Sequence, residues 1–362
     1  MPGVPAPSIG VLTPLFTSRR FLIGLAFSAA LLALFFWQVD LSETADALKS
    51  ANYWWFIPAI AVYFVGVWFR AVRWGYLLGP MKRISTPRLF PVVVIGYMAN
   101  NLLPVRLGEL VRSYYIGEKE GVSKTAALAT IIIERVFDGV ALLFIALFVW
   151  PFLPLPDLLR NFSDDSGIPV GLLIFFVAAP FIIILALFLA IAMRPEFGRW
   201  LVRLLVRVVP QKGKAVIDAL GMRFVEGLST LHSPRRVLSV LVLTFPIWIA
   251  EAAMFEIISY GFDMDVSFHG MLFTTSTSNL ATSIPSSAGG VGPFEWGARL
   301  TLEGLDVASG VATAFTIALH VALLVPVTVL GLVFMWMQHM SLGMIARQRA
   351  DSLLETPAGA KE

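Results

Sequence analysis

Long apolar segments recur along this chain, with short polar segments between them. Each of the longer segments approaches the roughly 20 residues that an α-helix needs to cross a bilayer. The pattern predicts six full spans, at residues 21–38, 54–73, 126–150, 169–193, 237–260 and 309–338. Two further apolar segments, 89–103 and 269–285, are too short or too polar to span comfortably. The predicted fold class is an all-α polytopic membrane protein.

The distribution of charge predicts how these segments are oriented. Segments 39–53, 151–168 and 261–268 are mainly acidic, whereas 70–88 and 194–236 are rich in arginine and lysine. Basic loops stay in the cytoplasm, so the two basic segments are predicted to lie inside and the three acidic ones outside. This topology predicts a multi-pass protein of a bacterial-type inner membrane, with both termini cytoplasmic.

The same rule predicts the path of the two shorter apolar segments. If 89–103 crossed the bilayer, the basic segments 104–125 and 194–236 would both lie outside. We therefore expect 89–117 to enter from the cytoplasm and return to it as a re-entrant hairpin. A parity argument makes 269–304 a second hairpin, which enters from outside. The alternatives are two short tilted spans in each place, or about eight transmembrane helices in total.

The tips of the two predicted hairpins share a loose sequence pattern. Both contain Asn-Leu, then proline, glycine and glutamate in that order. The first tip has Asn101, Pro104, Gly108 and Glu109, and the second has Asn279, Pro285, Gly289, Gly290, Gly292 and Glu295. Because the hairpins are predicted to enter from opposite faces, the pattern indicates an inverted repeat, which is typical of transporters with a site near the midplane.

The predicted breaks have a chemical consequence. Irregular backbone at membrane depth is tolerated only inside protein or beside a water-filled cavity, so we expect both tips to line a cavity. Helices that begin near Gly108 and Pro293 would present N–H groups to an anion such as a lipid phosphate. Arg106 and Arg112 would add charge-assisted hydrogen bonds. The hydroxyl-rich segment 274–287 can replace water around a headgroup.

Ionisable residues inside apolar spans are costly, and they are usually functional or paired. Glu134, Arg135 and Asp138 lie in the third predicted span, where Arg135 and Asp138 are three apart and can pair. Glu251 lies mid-span without a basic residue in the same span, so it needs a distant partner, protonation or a cavity. The alternative for Glu109, Arg112, Glu134 and Arg135 is a solvated position near the cytoplasmic interface.

Three residues near the C-terminal end carry further expectations. Glu295 and Arg299 are four apart and can pair on one helix face. His320 lies in the last predicted span, where a single histidine is more often a hydrogen-bonded helix contact than a proton relay.

If a proton gradient drives the protein, Glu251 and Glu109 are the candidate proton carriers.

Composition excludes several classes of function. Hydrophobic residues make up 57% of the 362 residues and charged residues 14%, whereas soluble domains carry about 25% charged residues. The net charge of +3 comes from basic residues in loops and not from a nucleic-acid-binding patch. The chain has no cysteine, and its four histidines lack metal-ligand spacing. We therefore predict no cofactor, no metal and no nucleic-acid partner.

The chain is predicted to form one membrane domain between two tails. Residues 1–18 are proline-rich and predicted to be disordered, residues 19–342 form the transmembrane domain, and 343–362 form a disordered cytoplasmic tail. Within segment 194–236, three arginines recur every fourth residue and share one helix face: Arg199, Arg203 and Arg207. This pattern is typical of a helix lying in the headgroup region, and the alternative is an amphipathic cytoplasmic connector.

Several stretches resemble the lysylphosphatidylglycerol synthase transmembrane family, also called the flippase-like domain family. The strongest match is Tyr97–Glu109, the second is Gly289–Glu295, and Arg70–Trp74 together with Glu134–Asp138 adds to them. The resemblance covers residues 20–340. It implies a membrane domain that flips a lipid. The best-known relatives carry a fused aminoacyltransferase, and we expect this chain to correspond to the flippase part only.

The leading hypothesis is a flippase or transporter, not an enzyme. Its substrate would be an anionic or aminoacylated phospholipid or a polyprenyl-phosphate-type lipid, and a separately encoded lipid-modifying transferase is a candidate partner. The alternative is a membrane-embedded glycosyl or group transferase acting on a lipid-linked substrate, or its accessory subunit. Glu134 and Asp138 would be the metal ligands of such a transferase. The oligomeric state stays open.

Overall fold

The described part of the chain is helical and contains no strand. The computed structural model describes residues 41–103, 107–153, 195–208, 234–283 and 288–338, together with scattered positions between 169 and 194 and between 214 and 225. The predicted first span at 21–38, most of the predicted span at 169–193 and both predicted tails lie outside these residues.

Ten α-helices are described, and short helical turns extend some of their ends. They are α1 (Leu41–Ser50), α2 (Phe56–Leu78), α3 (Thr86–Leu102), α4 (Gly108–Glu120), α5 (Lys124–Val149), α6 (Pro195–Val208), α7 (Pro234–Ser259), α8 (Phe268–Ala281), α9 (Pro293–Glu303) and α10 (Ser309–Met337). Helix α2 packs along α7, α10 packs on α1, α3 and α9, and α5 packs on α4, α7 and α8.

Among the described residues, three helical segments are long and apolar enough to cross a membrane. They are Tyr53–Leu78, Arg235–Phe262 and Ser309–Met337, and they coincide with predicted spans. Helix α5 also coincides with a predicted span, but it carries Glu134, Arg135 and Asp138 near its middle. The total number of membrane crossings stays a prediction.

One boundary in the sequence prediction is wrong. The predicted span 54–73 overlapped the basic segment 70–88, predicted to be cytoplasmic, at Arg70 and Arg73. Helix α2 instead continues to Leu78, and both arginines lie inside it, with relative exposures of 7% and 1%. Two arginines can lie within an apolar helix because acidic side chains on other helices bind them.

The first hairpin is formed by α3 and α4, which pack against each other across a break at residues 103–107. The N-terminal end of α3 and the C-terminal end of α4 meet, since Arg88 lies 3.8 Å from the Glu120 carboxylate. The same carboxylate binds Lys82, just beyond α2, at 2.9 Å. A Cβ on Gly108 would come within 1.9 Å of the Gly96 carbonyl oxygen. The close crossing of the two helices therefore requires glycine.

The second hairpin is formed by α8 and α9, which also pack against each other. A Cβ on Gly297 would lie 3.0 Å from the Ala281 Cβ, and a Cβ on Gly270 would lie 3.1 Å from the Leu305 side chain just beyond α9. The open end of this hairpin is thus near residues 268–305. As in the first hairpin, a glycine lies where the two helices approach each other.

The two hairpins open toward opposite ends of α2. The first opens beside Lys82, which follows the C-terminal end of α2. The second follows α7, whose end lies beside the start of α2, because the Asn52 N–H donates to the Gly261 carbonyl at 2.8 Å. Opposite openings are what an inverted repeat requires. That the hairpins form such a repeat, and that they are re-entrant in a bilayer, stay predictions.

Exposed aromatic and aliphatic side chains mark a membrane-facing surface. Trp54, which is 78% exposed, lies at the start of α2, and Trp336, which is 77% exposed, lies at the end of α10. Tryptophan is enriched at both membrane–water interfaces. Branched side chains between such positions, such as Val65 and Val329, are about half exposed. The surface is therefore that of a membrane protein.

The described helix α6 matches the predicted amphipathic segment. Trp200, Leu204 and Leu205 are exposed on it, and so are Arg199 and Arg203. Exposure of both an apolar and a basic face is expected for a helix that lies at a membrane surface. Its location in the headgroup region stays a prediction.

Candidate functional site

A cavity of about 480 Å³ lies where the tips of the two hairpins approach α10. The first hairpin contributes Asn101 and Glu109 to its wall, and the second contributes Asn279, Gly289 and Gly290. The Asn101 amide also donates to the Thr328 hydroxyl of α10 at 3.0 Å. Residues of both hairpins therefore line one cavity, as expected from the breaks in the sequence.

Arg70 is the centre of the first group of charges on the cavity wall. Its guanidinium binds Glu251 at 2.8 Å and the Tyr97 hydroxyl at 2.9 Å, and it lies 4.7 Å from the centre of the Trp248 ring. The other Glu251 oxygen accepts a hydrogen bond from the Asn279 amide at 2.8 Å. Glu251 thus has the distant partner that its mid-span position required.

Arg73 is the centre of a second group, which lies more deeply. Two of its nitrogens contact the two oxygens of Asp138 at 2.6 and 3.3 Å, and it donates to the Thr244 hydroxyl at 2.9 Å. Its Nε lies 3.6 Å from Glu134. A bidentate arginine–carboxylate pair fixes orientation as well as charge, so Arg73 ties α2 to α5 and α7.

Arg112 links the first hairpin to the same group. It binds Glu134 at 2.9 Å and lies 4.2 Å above the centre of the Trp74 ring. Arg112 and Glu134 are 4% and 2% exposed and do not line the cavity. These two residues therefore hold α4 against α5, and the alternative in which they are solvated at an interface is wrong.

The most accessible ion pair of this region joins Arg135 and Glu109. The two groups are 2.9 Å apart, both residues line the cavity, and their side chains are 32% and 21% exposed. Arg135 also lies 3.5 Å from Asp138, which confirms the predicted pairing of these two residues. A molecule in the cavity can reach this pair more easily than the buried pairs.

Together, the four arginines and four carboxylates of these groups are called the arginine network, and its formal charges of +4 and −4 cancel. The members are Arg70, Arg73, Arg112, Arg135, Glu109, Glu134, Asp138 and Glu251. Such pairing offsets the high cost of burying each charge alone. Within the described residues no cluster of three or more histidine or acidic side chains is arranged to hold a metal ion.

A histidine holds the second hairpin. His320 of α10 contacts the Glu295 carboxylate through Nδ1, and its Nε2 lies 3.1 Å from the Gly289 carbonyl oxygen. The predicted pairing of Glu295 with Arg299 is wrong, since Arg299 binds Glu303 at 2.7 Å instead. An i,i+4 spacing permits a pair, but here the neighbouring helix supplied another partner for Glu295.

The start of each return helix is capped by a side chain of its own hairpin. The Gly108 N–H donates to the Asn100 side-chain oxygen at 2.8 Å, and the Gly292 N–H donates to the Glu295 carboxylate at 2.7 Å. These two N–H groups are therefore not free for a lipid phosphate, contrary to the expectation from the sequence. The negative charge of Glu295 already occupies the start of α9.

The hydroxyls of α8 also differ from expectation. Thr274, Thr275 and Ser278 are buried, and each donates to the carbonyl oxygen four residues earlier, at 2.9, 2.8 and 2.6 Å. They satisfy the helix and do not surround a headgroup. Thr282 and Ser283 line the cavity.

The predicted site residues fall into three sets. Those that line the cavity are Asn101, Glu109, Arg135, Asp138, Glu251, Asn279, Gly289 and Gly290. Those that lie beside it in the described helices and turns are Gly108, Arg112, Glu134, Gly292 and Glu295. Pro104, Arg106 and Pro285 lie outside the described residues.

Sequence reasoning missed Arg70, Arg73, Trp248 and His320 as site residues. The sequence feature that could have identified the two arginines as buried site residues is the apolar sequence that continues past them to Leu78. His320 was noted, but no sequence pattern connects it to Glu295, which lies 25 residues earlier on another helix.

Comparisons with known proteins agree with the expected family. The family described as the lysylphosphatidylglycerol synthase TM region matches residues 21–331. A UPF0104 membrane protein of Methanothermobacter thermautotrophicus is 26% identical over 266 residues, which cover 70% of this chain and 76% of that protein. A second UPF0104 membrane protein, from Methanocaldococcus jannaschii, is 28% identical over 197 residues, 54% of this chain and 75% of that protein.

A third relative carries a different description. The glycosyltransferase AglD of Haloferax volcanii is 25% identical over 331 residues, which cover 85% of this chain and 52% of AglD. This chain therefore corresponds to about half the length of AglD. No solved structure shows significant similarity to the chain.

Proposed function

Because the chain belongs to the lysylphosphatidylglycerol synthase transmembrane family, we propose that it moves a lipid between the leaflets of a membrane. The substrate would be an anionic or aminoacylated phospholipid or a polyprenyl-phosphate-type lipid. The observation that carries the proposal is the charged cavity between two hairpins that open in opposite directions. A lipid headgroup needs such a polar environment inside an apolar body.

The lengths of the hairpin helices support a re-entrant arrangement. Helices α3 and α4 have 17 and 13 residues, and α8 and α9 have 14 and 11. At about 1.5 Å per residue, none of them reaches the roughly 30 Å of a hydrocarbon core. Under the proposal each hairpin enters from one face and returns to it, and the broken backbone at the tips lines the transport cavity.

The accessible Arg135–Glu109 pair suits a headgroup that carries several polar groups. A phosphate would accept hydrogen bonds from Arg135, while an amine or hydroxyl of the same headgroup would donate to Glu109. Since the network is electrically balanced, binding exchanges one partner for another and does not depend on net attraction. No step of this proposal needs a cofactor, and we assign no catalytic residue.

The alternative function is a membrane-embedded transferase for a lipid-linked group, or its accessory subunit. The similarity to a glycosyltransferase favours this alternative. In the subunit form, the chain would present a lipid to a separately encoded transferase. Glu134 and Asp138, the metal ligands of the transferase form, are instead bound by Arg112 and Arg73.

Lipid exchange in proteoliposomes tests the proposed function. Purified protein is reconstituted with fluorescent phosphatidylglycerol, aminoacylated phosphatidylglycerol or polyprenyl phosphate, and the loss of fluorescence to an external quencher is followed. We expect faster leaflet exchange of at least one probe, slowed by Arg135→Gln. The matched control is Arg88→Gln, an arginine whose side chain is 73% exposed outside the cavity.

The outcomes separate the candidate functions. No exchange of any probe by correctly folded protein would reject transport of these lipids. In that case, copurification with a lipid-modifying transferase would favour the subunit function, and group transfer to the added lipid would favour the enzyme.

A further inference from the structure

The imidazole ring of His320 lies between two hydrogen-bond acceptors. It is 5% exposed, with the Glu295 carboxylate beside Nδ1 and the Gly289 carbonyl oxygen 3.1 Å from Nε2. A carbonyl oxygen only accepts hydrogen bonds, and so does an ionised carboxylate. Each of the two contacts therefore requires a proton between the ring nitrogen and the oxygen.

A neutral histidine and an ionised glutamate together cannot satisfy both contacts. Neutral imidazole has one N–H and one bare nitrogen. If the proton is on Nδ1, the bare Nε2 faces the Gly289 carbonyl, and if it is on Nε2, the bare Nδ1 faces the Glu295 carboxylate. One additional proton resolves the conflict, whether it resides on the ring as His320⁺ or on the Glu295 carboxyl group.

We propose that His320 and Glu295 form a proton-binding site, and that the bound proton holds the tip of the second hairpin against α10. Loss of this proton to cavity water leaves a nitrogen lone pair facing an oxygen, so one of the contacts breaks. The movement of lipid through the cavity then depends on proton concentration. This last step rests on the proposed function, and it adds that the proton is the ion coupled to lipid movement.

The backbone at the tip is suited to such a movement. Gly289, Gly290 and Gly292 have φ angles of 75°, 78° and 101°, in the left-handed region that glycine adopts readily. A Cβ on Gly289 would lie 3.4 Å from the Leu324 side chain, so the tip rests on α10. Since Gly289 and Gly290 line the cavity, release of this tip changes the cavity wall.

The acidic groups of the arginine network are less suited to carry the proton. Glu109 and Glu251, the carriers expected from the sequence, bind Arg135 and Arg70. A guanidinium stays charged at any accessible pH, so protonating its carboxylate partner removes the counter-charge nearest to it. Glu295 differs because its partner is an imidazole, which itself gains and loses a proton.

Other charged or titratable groups lie on the helices packed against α10. Tyr63 and Arg70 of α2, Tyr97 of α3 and Glu251 of α7 share the cavity wall with His320. Glu295, Arg299 and Glu303 lie on α9, and Glu43 lies on α1. Among the described residues, Glu295 is the titratable side chain that contacts the His320 imidazole. Glu43 and Arg299 contact α10 near Gly310 and Ser309, three helical turns away.

Cysteine labelling tests the site without any assumption about transport. The chain has no cysteine, so Leu324→Cys introduces a single thiol beneath the tip. Its rate of reaction with a water-soluble maleimide is measured in detergent between about pH 5 and pH 8, where histidine changes charge. Each rate is divided by that of a cysteine peptide at the same pH, which removes the effect of thiol ionisation.

We expect the normalised rate to rise with pH by about tenfold, the factor that one ordinary hydrogen bond carries. Glu295→Gln supplies a permanent donor to Nδ1, so its rate stays low at every pH. His320→Phe keeps the ring and removes both contacts, so its rate stays high. The control His269→Gln removes an exposed histidine on α8 and keeps the parent profile. A flat parent profile, or a parent-like profile in Glu295→Gln, would overturn the proposal.

A pH difference across proteoliposomes then tests the coupling. We expect the exchange rate of a transported probe lipid to change when the difference is reversed, and Glu295→Gln to abolish this response. Exchange that ignores the pH difference would overturn the coupling and leave the proposed function intact. No exchange of any probe, with the labelling profile as expected, would reject the proposed function and support the proton site itself.

Discussion

The two hairpins have a similar backbone plan but are held by different chemistry. Each consists of two short helices with a glycine at their close approach, Gly108 in one and Gly297 in the other, and each caps its own return helix. The first hairpin is bound through Arg112 and Glu109 to partners on α5. The second is bound through Glu295 to His320.

This difference indicates which hairpin is fixed and which can respond to conditions. Guanidinium–carboxylate pairs keep their charges across the accessible pH range, whereas an imidazole–carboxylate pair can gain or lose a proton within it. The arginine network therefore acts as a frame for the first hairpin. We expect the second hairpin to be the moving part, and the following predictions test this comparison from the largest effect to the smallest.

Removing Arg73, a central member of the arginine network, should have the largest effect on stability. Arg73→Ala leaves the buried Asp138 without its bidentate partner, and breaking a buried pair costs about 3–5 kcal/mol. We expect a large fall in Tm, measured by gel filtration of heated protein in detergent. Arg88→Ala removes an arginine whose side chain is 73% exposed and lies 3.8 Å from its acidic partner, so it should leave the Tm unchanged. Equal effects of the two variants would contradict the idea of a buried frame.

The glycines where the hairpin helices approach each other should differ in their tolerance of a methyl group. In Gly108→Ala the new Cβ would meet a carbonyl oxygen at 1.9 Å, whereas in Gly297→Ala it would meet the Ala281 Cβ at 3.0 Å. We expect destabilisation of about 3 kcal/mol for the first and about 1 kcal/mol for the second. Thermal unfolding of both variants in detergent measures which of them is less stable. The reverse order would show that the first hairpin accommodates the added methyl group more easily.

Two asparagines allow a comparison of the tips themselves. The Asn279 amide donates to the buried Glu251 carboxylate, whereas the Asn101 amide donates to the neutral Thr328 hydroxyl. Hydrogen bonds to charged groups are the stronger, so we expect Asn279→Ala to cost about 2 kcal/mol and Asn101→Ala about 1 kcal/mol. Denaturant titration of both variants in one detergent provides the measurement. Equal losses would mean that the link from Glu251 to the second hairpin contributes little.

The smallest effect is expected at the hydroxyls of α8. Thr275→Val removes a hydroxyl that donates to the Met271 carbonyl oxygen of its own helix, which should cost less than about 1 kcal/mol and leave lipid exchange unchanged. The measurement is the proteoliposome exchange assay beside the parent. A loss of exchange at normal stability would restore a headgroup role for this segment.

Part of the fold could be predicted from local patterns. The apolar segments become helices at 56–78, 124–149, 234–259 and 309–337, and the helix breaks lie at the two Pro- and Gly-containing tips. These features depend on bilayer thickness and on backbone chemistry, which act over a few neighbouring residues. The motifs Tyr97–Glu109 and Gly289–Glu295 identified the family, and the match over residues 21–331 confirms it.

The partners of the buried charges could not be predicted in this way. Arg70 and Glu251 are 181 residues apart, and the sequence pattern placed Arg70 where a predicted span overlaps a basic segment. A lone arginine within an apolar segment is costly. Its cost is offset by a carboxylate that the chain brings back to it. The Glu295–Arg299 expectation failed for the same reason, since local spacing defines which pairs are possible and not which of them form.

The sequence by itself determined where helices form, where they break and which family the chain belongs to, because these properties follow from hydrophobicity and backbone sterics along short stretches. The tertiary structure alone decided that the eight charges of the arginine network cancel, and that a histidine lies between two acceptors at the tip of the second hairpin. Electrostatic interactions act through space, so their balance exists only after distant helices have packed together.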